Sequence, residues 1–304
     1  ATTDAYSIYR NGNYSNEVHV YGPVYVNRVV EPCVNIVEGS QYIIFGDPPV
    51  ALTLQQRIDS KNTGDTVLIQ PGTYTESINL KDGVDLVFID GSILQYDGSG
   101  TDYKSTISDG GIAVHCTISG EGVFKRTAND HPFASVFYTS NENSDITFYY
   151  KKIESTSFSG PAVRINKGKL YLEGDVINSK YDAIYNAGDV TWKGGIIYSY
   201  GGRGLQNSYS GVFHGQGDIT TDTPPNLTCF TPGISISGNY YCYVEFTGNI
   251  TSKGDYALNM NGGSAKFYNS KLESWQTNSV TGSAISKTGG QELYLDNVML
   301  RTSS

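Results

Sequence analysis

Leu170-Tyr-Leu-Glu-Gly-Asp-Val-Ile177 and Val190-Thr-Trp-Lys-Gly-Gly-Ile-Ile197 are two copies of the pattern that decides the fold. In both of these copies, a single residue separates two apolar residues, and a third apolar residue follows after four more residues. The second position recurs at intervals of 20 to 32 residues, the size of one coil of a solenoid. The seven copies are Ile146, Phe148, Ile153; Leu170, Leu172, Ile177; Val190, Trp192, Ile197; Val212, His214, Ile219; Val244, Phe246, Ile250; Ala265, Phe267, Leu272; and Leu293, Leu295, Leu300.

This pattern predicts about three short strands in each repeat. The first two apolar residues point to one side of a strand, and the third begins a second strand aimed at the same interior. A third strand is expected at a small residue followed by an apolar one, as at Ala162 and Val163. Such short strands bury their apolar faces only when neighbouring coils stack, which makes the sheets parallel. An antiparallel sandwich also has many short strands, but hairpins do not require three apolar positions to recur in fixed order.

Composition agrees with an all-β solenoid. The chain has 304 residues, with 35 glycines and 24 tyrosines, and these residue types favour turns and strands. The sequence predicts a parallel β-helix domain over residues 49–304, beginning with a capping helix between Ala51 and Ser60. Residues 1–48 are predicted to form an attachment or oligomerisation arm, or else an extra strand pair on the first coil.

Charge and cysteine content exclude several functions. A formal charge of −9 argues against nucleic acid, because phosphate binding needs a basic surface. Apolar runs are too interrupted to span a membrane, and no cofactor site is indicated.

Cys116 is expected to be buried, and Cys229 could pair with Cys242 in an oxidising compartment. The sequence starts at alanine, so it is expected to be processed or a fragment. It ends soon after the last repeat, so a C-terminal cap is expected to be very short or to come from another subunit.

Two stretches carry a resemblance to a known family. Gly64-Asp-Thr-Val-Leu-Ile-Gln-Pro-Gly-Thr-Tyr74 after a short helix, and Ile118-Ser-Gly-Glu-Gly-Val-Phe124, resemble the N-terminal cap and coils of the pectate-lyase-like superfamily. This resemblance covers residues 50 to 300 and implies a right-handed, single-stranded parallel β-helix. It does not imply one function, because lyases, hydrolases, tailspikes and adhesins share this fold.

Catalytic motifs of that superfamily are missing or incomplete here, so no catalytic residue is transferred from it. Paired carboxylates at the right spacing could still hydrolyse glycosides, and acids on adjacent coils fall at such spacing. A solvated acidic face would give similar pairs by chance. His214 is predicted to be a buried core residue. The candidate acids are Glu173, Asp175, Asp189 and Asp218.

Outward positions favour carbohydrate binding, because sugar faces stack on aromatic rings while hydroxyls take hydrogen bonds. Aromatic residues on a strand surface also occur for strand propensity alone. The candidate glycan-binding residues are Tyr198, Tyr200, Arg203, Trp275 and Lys180.

These observations predict a non-enzymatic virion protein, such as a tail spike, a fibre or a capsid surface spike, that binds host polysaccharide. We expect a homotrimer, docked to a larger particle through residues 1–48. One alternative is a polysaccharide-degrading enzyme, either a lyase or a glycoside hydrolase. A second is a secreted bacterial surface adhesin.

Overall fold

The computed structural model describes residues 52–98, 104–127, 134–156, 160–178, 180–223, 231–275 and 283–303, together with two short strands nearer the start. The chain divides into two compact units, Ala1–Thr53 and Leu54–Ser304. In the first unit, β1 (Val24–Val26) pairs in parallel with β2 (Tyr42–Ile44). The remainder of the predicted arm lies outside the described residues.

The second unit is a right-handed parallel β-helix, which confirms the predicted fold class. It begins with one short helix, α1 (Leu54–Asp59), whose Leu54 and Ile58 are buried against the first coil. The Glu76 carboxylate accepts hydrogen bonds from the backbone N–H groups of Leu54 and Gln55, at 2.8 and 3.0 Å. This carboxylate satisfies two N–H groups that have no partner within the helix.

Three faces surround the apolar interior, and we name them A, B and C in chain order. In the first three coils, faces A and B are built by separate strands. Face A has β3 (Thr66–Ile69), β6 (Asp85–Phe88) and β9 (His115–Gly120), and face B has β4 (Gly72–Thr75), β7 (Ser92–Tyr96) and β10 (Val123–Arg126).

Later coils join faces A and B into single long strands that bend at a corner. The first half of each strand lies on face A and the second half on face B. These strands are β12 (Asp145–Ser155), β14 (Lys169–Asn178), β16 (Asp189–Tyr200), β18 (Val212–Asp222), β20 (Tyr243–Lys253), β22 (Ser264–Trp275) and β24 (Leu293–Ser303).

Face C is a nine-stranded parallel sheet of short strands. Ala162, Ala183 and Ala257 are buried just before strands of this face, as the small-plus-apolar element predicted. The strands are β5 (Ile78–Asn79), β8 (Ile107–Ser108), β11 (Phe137–Thr139), β13 (Val163–Ile165), β15 (Ile184–Asn186), β17 (Leu205–Asn207), β19 (Ile234–Ile236), β21 (Leu258–Met260) and β23 (Ile285–Lys287).

The interior is a continuous apolar column with polar rows at its edges. Phe88, Phe124 and Phe148 stack edge to face, with ring centroids 4.7 and 4.8 Å apart. Where face B turns toward face C, buried hydroxyl groups satisfy turn carbonyls that would otherwise lack partners. The Ser199 hydroxyl donates to the Tyr181 carbonyl, those of Thr221 and Ser252 donate to the Thr231 carbonyl, and that of Ser274 donates to the Asp255 carbonyl, at 2.6 to 2.9 Å.

Three residues in two copies of the repeat were assigned wrongly to the interior. In the fourth copy, Phe213 lies fully buried beside Val190, whereas Val212 and His214 point outward. The His214 side chain is 44% exposed and lies 3.9 Å from the Glu245 carboxylate. In the second copy, Val176 rather than Ile177 aligns with Ile153. Both copies were misaligned because the corner between faces A and B contains a different number of residues in different coils. A fixed spacing counted across the corner therefore assigns the wrong residue to the interior.

The last strand keeps the predicted register but not the burial. Leu295 aligns with the buried Phe267, and Leu300 with the buried Leu272. Both leucines are nevertheless exposed, at 38% and 51%.

Candidate functional site

In every coil from β9 to β24 except that of β12, the corner between faces A and B includes a residue with positive φ. An L residue is strained in this conformation, whereas glycine adopts it readily and asparagine tolerates it. An added Cβ would lie 2.0 Å from Phe88 O at Gly120 and 1.9 Å from Gly217 O at Gly248. The column consists of Gly120, Gly174, Gly195, Gly217, Gly248, Asn269 and Asn297, with φ between 46° and 145°.

Glycine at the corner leaves a depression in the surface, which we name the corner groove. Its volume is about 610 Å³. Backbone forms the floor, and the Gly174 carbonyl accepts hydrogen bonds from Trp192 Nε1 and Tyr150 Oη, at 3.1 and 3.3 Å. These two buried aromatic side chains fix the floor from the inside. The groove is lined by Gly120, Glu121, Tyr149, Tyr150, Glu173, Gly174, Lys193, Gly194, Gly195, Gln216 and Gly217.

One wall of the groove presents a different side chain from each coil. Tyr149, Glu173, Lys193 and Gln216 are register partners on four successive long strands. Neighbouring parallel strands lie about 4.8 Å apart, so these side chains form an evenly spaced row. The row combines an aromatic ring, a carboxylate acceptor, an ammonium donor and an amide that does both.

The Glu173 carboxylate is oriented by a neighbour on its own strand. Tyr171 Oη donates a hydrogen bond to Glu173 Oε2 at 2.9 Å, and the Tyr171 ring lies 5.5 Å from that of Tyr149. Burial, together with this hydrogen bond to Glu173, raises the pKa of Tyr171 to about 12. The phenol therefore stays protonated and keeps donating to the carboxylate at neutral pH.

The other predicted acids do not gather around Glu173. Asp175 lies beyond Gly174, and its Oδ1 accepts from the Ile196 N–H at 2.9 Å, which holds the bend of the next strand. Asp218 accepts from Asn249 Nδ2 at 2.9 Å. Asp189 begins β16, at the opposite edge of face A from the groove, where its register partner is Lys169. Of the four acids, Glu173 alone lines the groove.

Three predicted aromatic residues lie on face B. Tyr200 and Trp275 belong to one outward column and are separated by Asp222 and Lys253. Tyr198 Oη donates to Asp222 Oδ2 at 3.3 Å, and Lys253 Nζ lies 3.2 Å from the same oxygen. Burial and the Asp222 charge raise the pKa of Tyr198 to about 12. This column is a second, flatter surface with aromatic rings at both ends.

Arg203 and Lys180 lie in turns between faces B and C. The Arg203 guanidinium binds the buried Asp182 carboxylate, with Nε 3.0 Å from Oδ1 and Nη2 2.9 Å from Oδ2. Burial lowers the pKa of Arg203, but the Asp182 charge outweighs burial, so the net shift is upward. The Lys180 backbone N–H donates to Asn178 Oδ1 at 3.1 Å. Arg203 thus stabilises its turn.

Sequence reasoning missed the most exposed aromatic residues of the described chain. Tyr209, Tyr240 and Tyr241 lie in two stacked turns from face C to face A and are 68%, 75% and 78% exposed. Tyr209 has φ of +56°, and its carbonyl accepts from the Asn239 N–H at 2.8 Å. We name these three residues the tyrosine turn. The Tyr240-Tyr241 pair was a visible signal, but its exposure depends on the turn.

The groove residues Tyr149, Lys193 and Gln216 were also missed. They share no local motif and become neighbours only through the coil register. Cys116 and Cys242 are buried free thiols, and burial raises the pKa of Cys116 to about 12. Cys229, the predicted partner of Cys242, lies outside the described residues.

Within the described ranges, no three His, Cys, Asp or Glu side chains are grouped as metal ligands would be. No helix in those ranges is long and apolar enough to cross a membrane. Comparison with known proteins finds no relative, since no family model, no curated protein and no solved structure matches this chain.

Proposed function

We propose that this chain is a non-enzymatic virion surface protein, a tail spike, fibre or capsid surface spike, that contacts host-surface glycan through the corner groove. The groove is the observation that carries the proposal. It offers an exposed ring at Tyr149 and fixed polar groups at Glu173, Lys193 and Gln216 on a rigid backbone floor. Sugars are bound by this combination of ring stacking and directed hydrogen bonds.

Rigidity supports the binding role. The wall residues lie on hydrogen-bonded strands, and Glu173 is oriented by Tyr171 before any ligand arrives. Such preorganisation lowers the entropy lost when a flexible glycan is bound. The face B column and the tyrosine turn provide further exposed aromatic rings, which would widen contact with a host surface.

Kinship with pectate-lyase-like proteins, assembly as a homotrimer and docking through residues 1–48 belong to the same proposal. The Gly64-to-Tyr74 stretch supports the kinship, and it lies at the first coil as in that superfamily. Sedimentation of the full chain should give three times the monomer mass. A stable monomer at micromolar concentration would contradict the trimer.

Tyr149→Ala tests the groove directly. We expect it to reduce binding of the full chain to host polysaccharide by about five- to tenfold, because an aromatic platform contributes about 1 to 1.5 kcal/mol. Tyr294→Ala is the matched control, because Tyr294 is on the same face and is similarly exposed, 44% against 41% for Tyr149. Equal binding by Tyr149→Ala and the unaltered protein would contradict the groove as the contact site.

The positions of Glu121 and Glu173 favour the enzyme alternative. Both residues line the corner groove, and their coils are separated by two strand spacings. Two strand spacings place their backbones about 10 Å apart, near the range in which carboxylate pairs hydrolyse glycosides. Release of new reducing ends from host polysaccharide, abolished in Glu173→Gln, would establish this alternative. Intact polysaccharide after prolonged incubation supports the non-enzymatic proposal.

A further inference from the structure

The corner groove runs along the axis of the β-helix. Its lining begins at Gly120 and Glu121, at the end of β9, and ends at Gln216 and Gly217 in β18. Five successive coils contribute, and four steps of about 4.8 Å give a length of about 19 Å. The groove is thus long in one direction and narrow in the other, a shape that suits a linear polymer.

Its period matches the period of a polysaccharide. One sugar ring in an extended linear glycan advances the chain by about one strand spacing. A glycan lying along the groove would therefore meet one wall residue per sugar, from Tyr149 through Glu173 and Lys193 to Gln216. Glycan hydroxyl groups can donate to the Glu173 carboxylate and accept from Lys193, while a ring face stacks on Tyr149.

Charge selects against anionic polymers. The lining carries Glu121 and Glu173 against Lys193, and the whole chain has a formal charge of −9. Lys151, just beyond Tyr150, is paired with Asp90 at 3.2 Å. Lys152 is paired with Glu154. A polymer with one carboxylate per sugar would meet like charge at the groove and over the whole surface.

Resting on the proposed function, we infer that the corner groove binds an uncharged linear glycan parallel to the helix axis, with one sugar per coil over four or five coils. This assignment sets the class of ligand, its direction and its footprint. Binding of a branched or anionic glycan at the tyrosine turn or on face B would contradict it.

Gly194 allows the groove to be filled without disturbing the fold. It lies in the floor with φ of +67°, and an added Cβ would meet no atom within 4 Å. Asparagine tolerates this conformation, so Gly194→Asn places an amide side chain in the groove at little cost in stability. Gly111→Asn is the matched control, because Gly111 has φ of +79° and equally open space, in a turn between faces C and A.

The experiment compares the unaltered full chain with both variants on an array of linear neutral, uronate and sulfated glycans of two to eight sugars. We expect binding to neutral glycans, with affinity rising up to about four or five sugars and then levelling off. Gly194→Asn should weaken this binding by about tenfold or more, and Gly111→Asn should leave it unchanged.

The outcomes separate this inference from the proposed function. Binding mainly to acidic glycans, weakened in Gly194→Asn, would overturn the inference while leaving the corner groove in place as the contact site. Binding that Gly194→Asn leaves intact would overturn the inference and the groove as the contact site, and would leave glycan binding elsewhere on the chain. An array without any bound glycan, from protein that retains its strand circular dichroism spectrum, would overturn both.

Discussion

Arg203 closes the turn from face B to face C by clamping Asp182. Its guanidinium donates from Nε and Nη2 to the Asp182 carboxylate, and its own backbone N–H donates to Oδ1 at 2.7 Å. The Asp182 side chain is only 3% exposed. Arg203→Ala would leave this carboxylate buried without its counter-charge. We expect the free energy of unfolding to fall by about 3 to 5 kcal/mol, measured by urea denaturation.

Lys253→Ala is the control for that prediction. Lys253 pairs with Asp222 at 3.2 Å, but the lysine side chain is 52% exposed. Solvent screens such a pair, so its removal should cost about 1 kcal/mol or less. Equal losses in the two variants would show that Arg203 contributes no more than a surface charge.

The corner glycines should be the least replaceable residues of the described fold. In Gly120→Ala, the added methyl group would lie 2.0 Å from Phe88 O. Backbone on two coils must then shift, and we expect a loss of at least about 4 kcal/mol or failure to fold. Thermal and urea denaturation of the purified variant measure this loss.

Gly64→Ala separates the collision from the backbone strain. Gly64 has φ of +92°, close to +105° at Gly120, but an added Cβ there meets nothing within 4 Å. Strain alone should cost about 1 to 2 kcal/mol. A similar loss in both variants would mean that adjacent coils are not packed as closely at the corner as the structure places them.

The same corner explains how far the sequence could predict the fold. Apolar alternation indicated the strand faces, and the 20-odd-residue period indicated stacking. The corner, however, holds one residue in β14, Gly174, and two in β16, Gly194 and Gly195. The number of corner residues can be determined only from the strand register, so the sequence pattern did not identify Val176 and Phe213 as the buried residues. Both residues became evident once parallel neighbours were aligned.

Prediction of the candidate site was limited for a related reason. Glu173 was nominated as an acid, but its neighbours in the groove come from other coils, about 20 residues away in sequence. Tyr149 and Gln216 line the same groove only because four successive strands stack in register. Conversely, Arg203 resembled a surface cation in sequence, because nothing local shows that Asp182 is buried beside it.

Stability should depend on Asp109 in acid. Burial favours the protonated form, but N–H groups of Asn141, Gly111 and Ser140 and the Thr139 hydroxyl outweigh it, so the pKa of Asp109 is lowered from 3.8. A lowered folded-state pKa means that the stabilisation is complete above the unfolded value and is lost as pH falls through the folded value. Asp109→Asn should therefore cost about 3 kcal/mol at pH 7, and the difference should shrink as pH falls below 3.8.

The contribution of Asp255 to stability should depend on pH in the opposite direction. Burial raises its pKa above 3.8, against hydrogen bonds from the Tyr256 and Thr231 N–H groups. A raised folded-state pKa means that its contribution is most favourable at low pH and is lost as pH rises through the folded value. Asp255→Asn should thus cost least at pH 7 and more toward pH 3. Parallel pH profiles for the two variants would contradict the assigned environments.

The stacked register on which the corner groove depends can be tested most directly by paired cysteines. Thr220 and Thr251 are outward register partners on adjacent coils, whereas Tyr198 lies one coil further from Thr251. Strand spacing puts the first pair about 5 Å apart and the second about 10 Å, and only the first fits a disulfide. With Cys33 and Cys229 replaced by serine, Thr220→Cys with Thr251→Cys should cross-link on mild oxidation, and Tyr198→Cys with Thr251→Cys should not. Cross-linking of the second pair, or failure of the first, would contradict the parallel coil register.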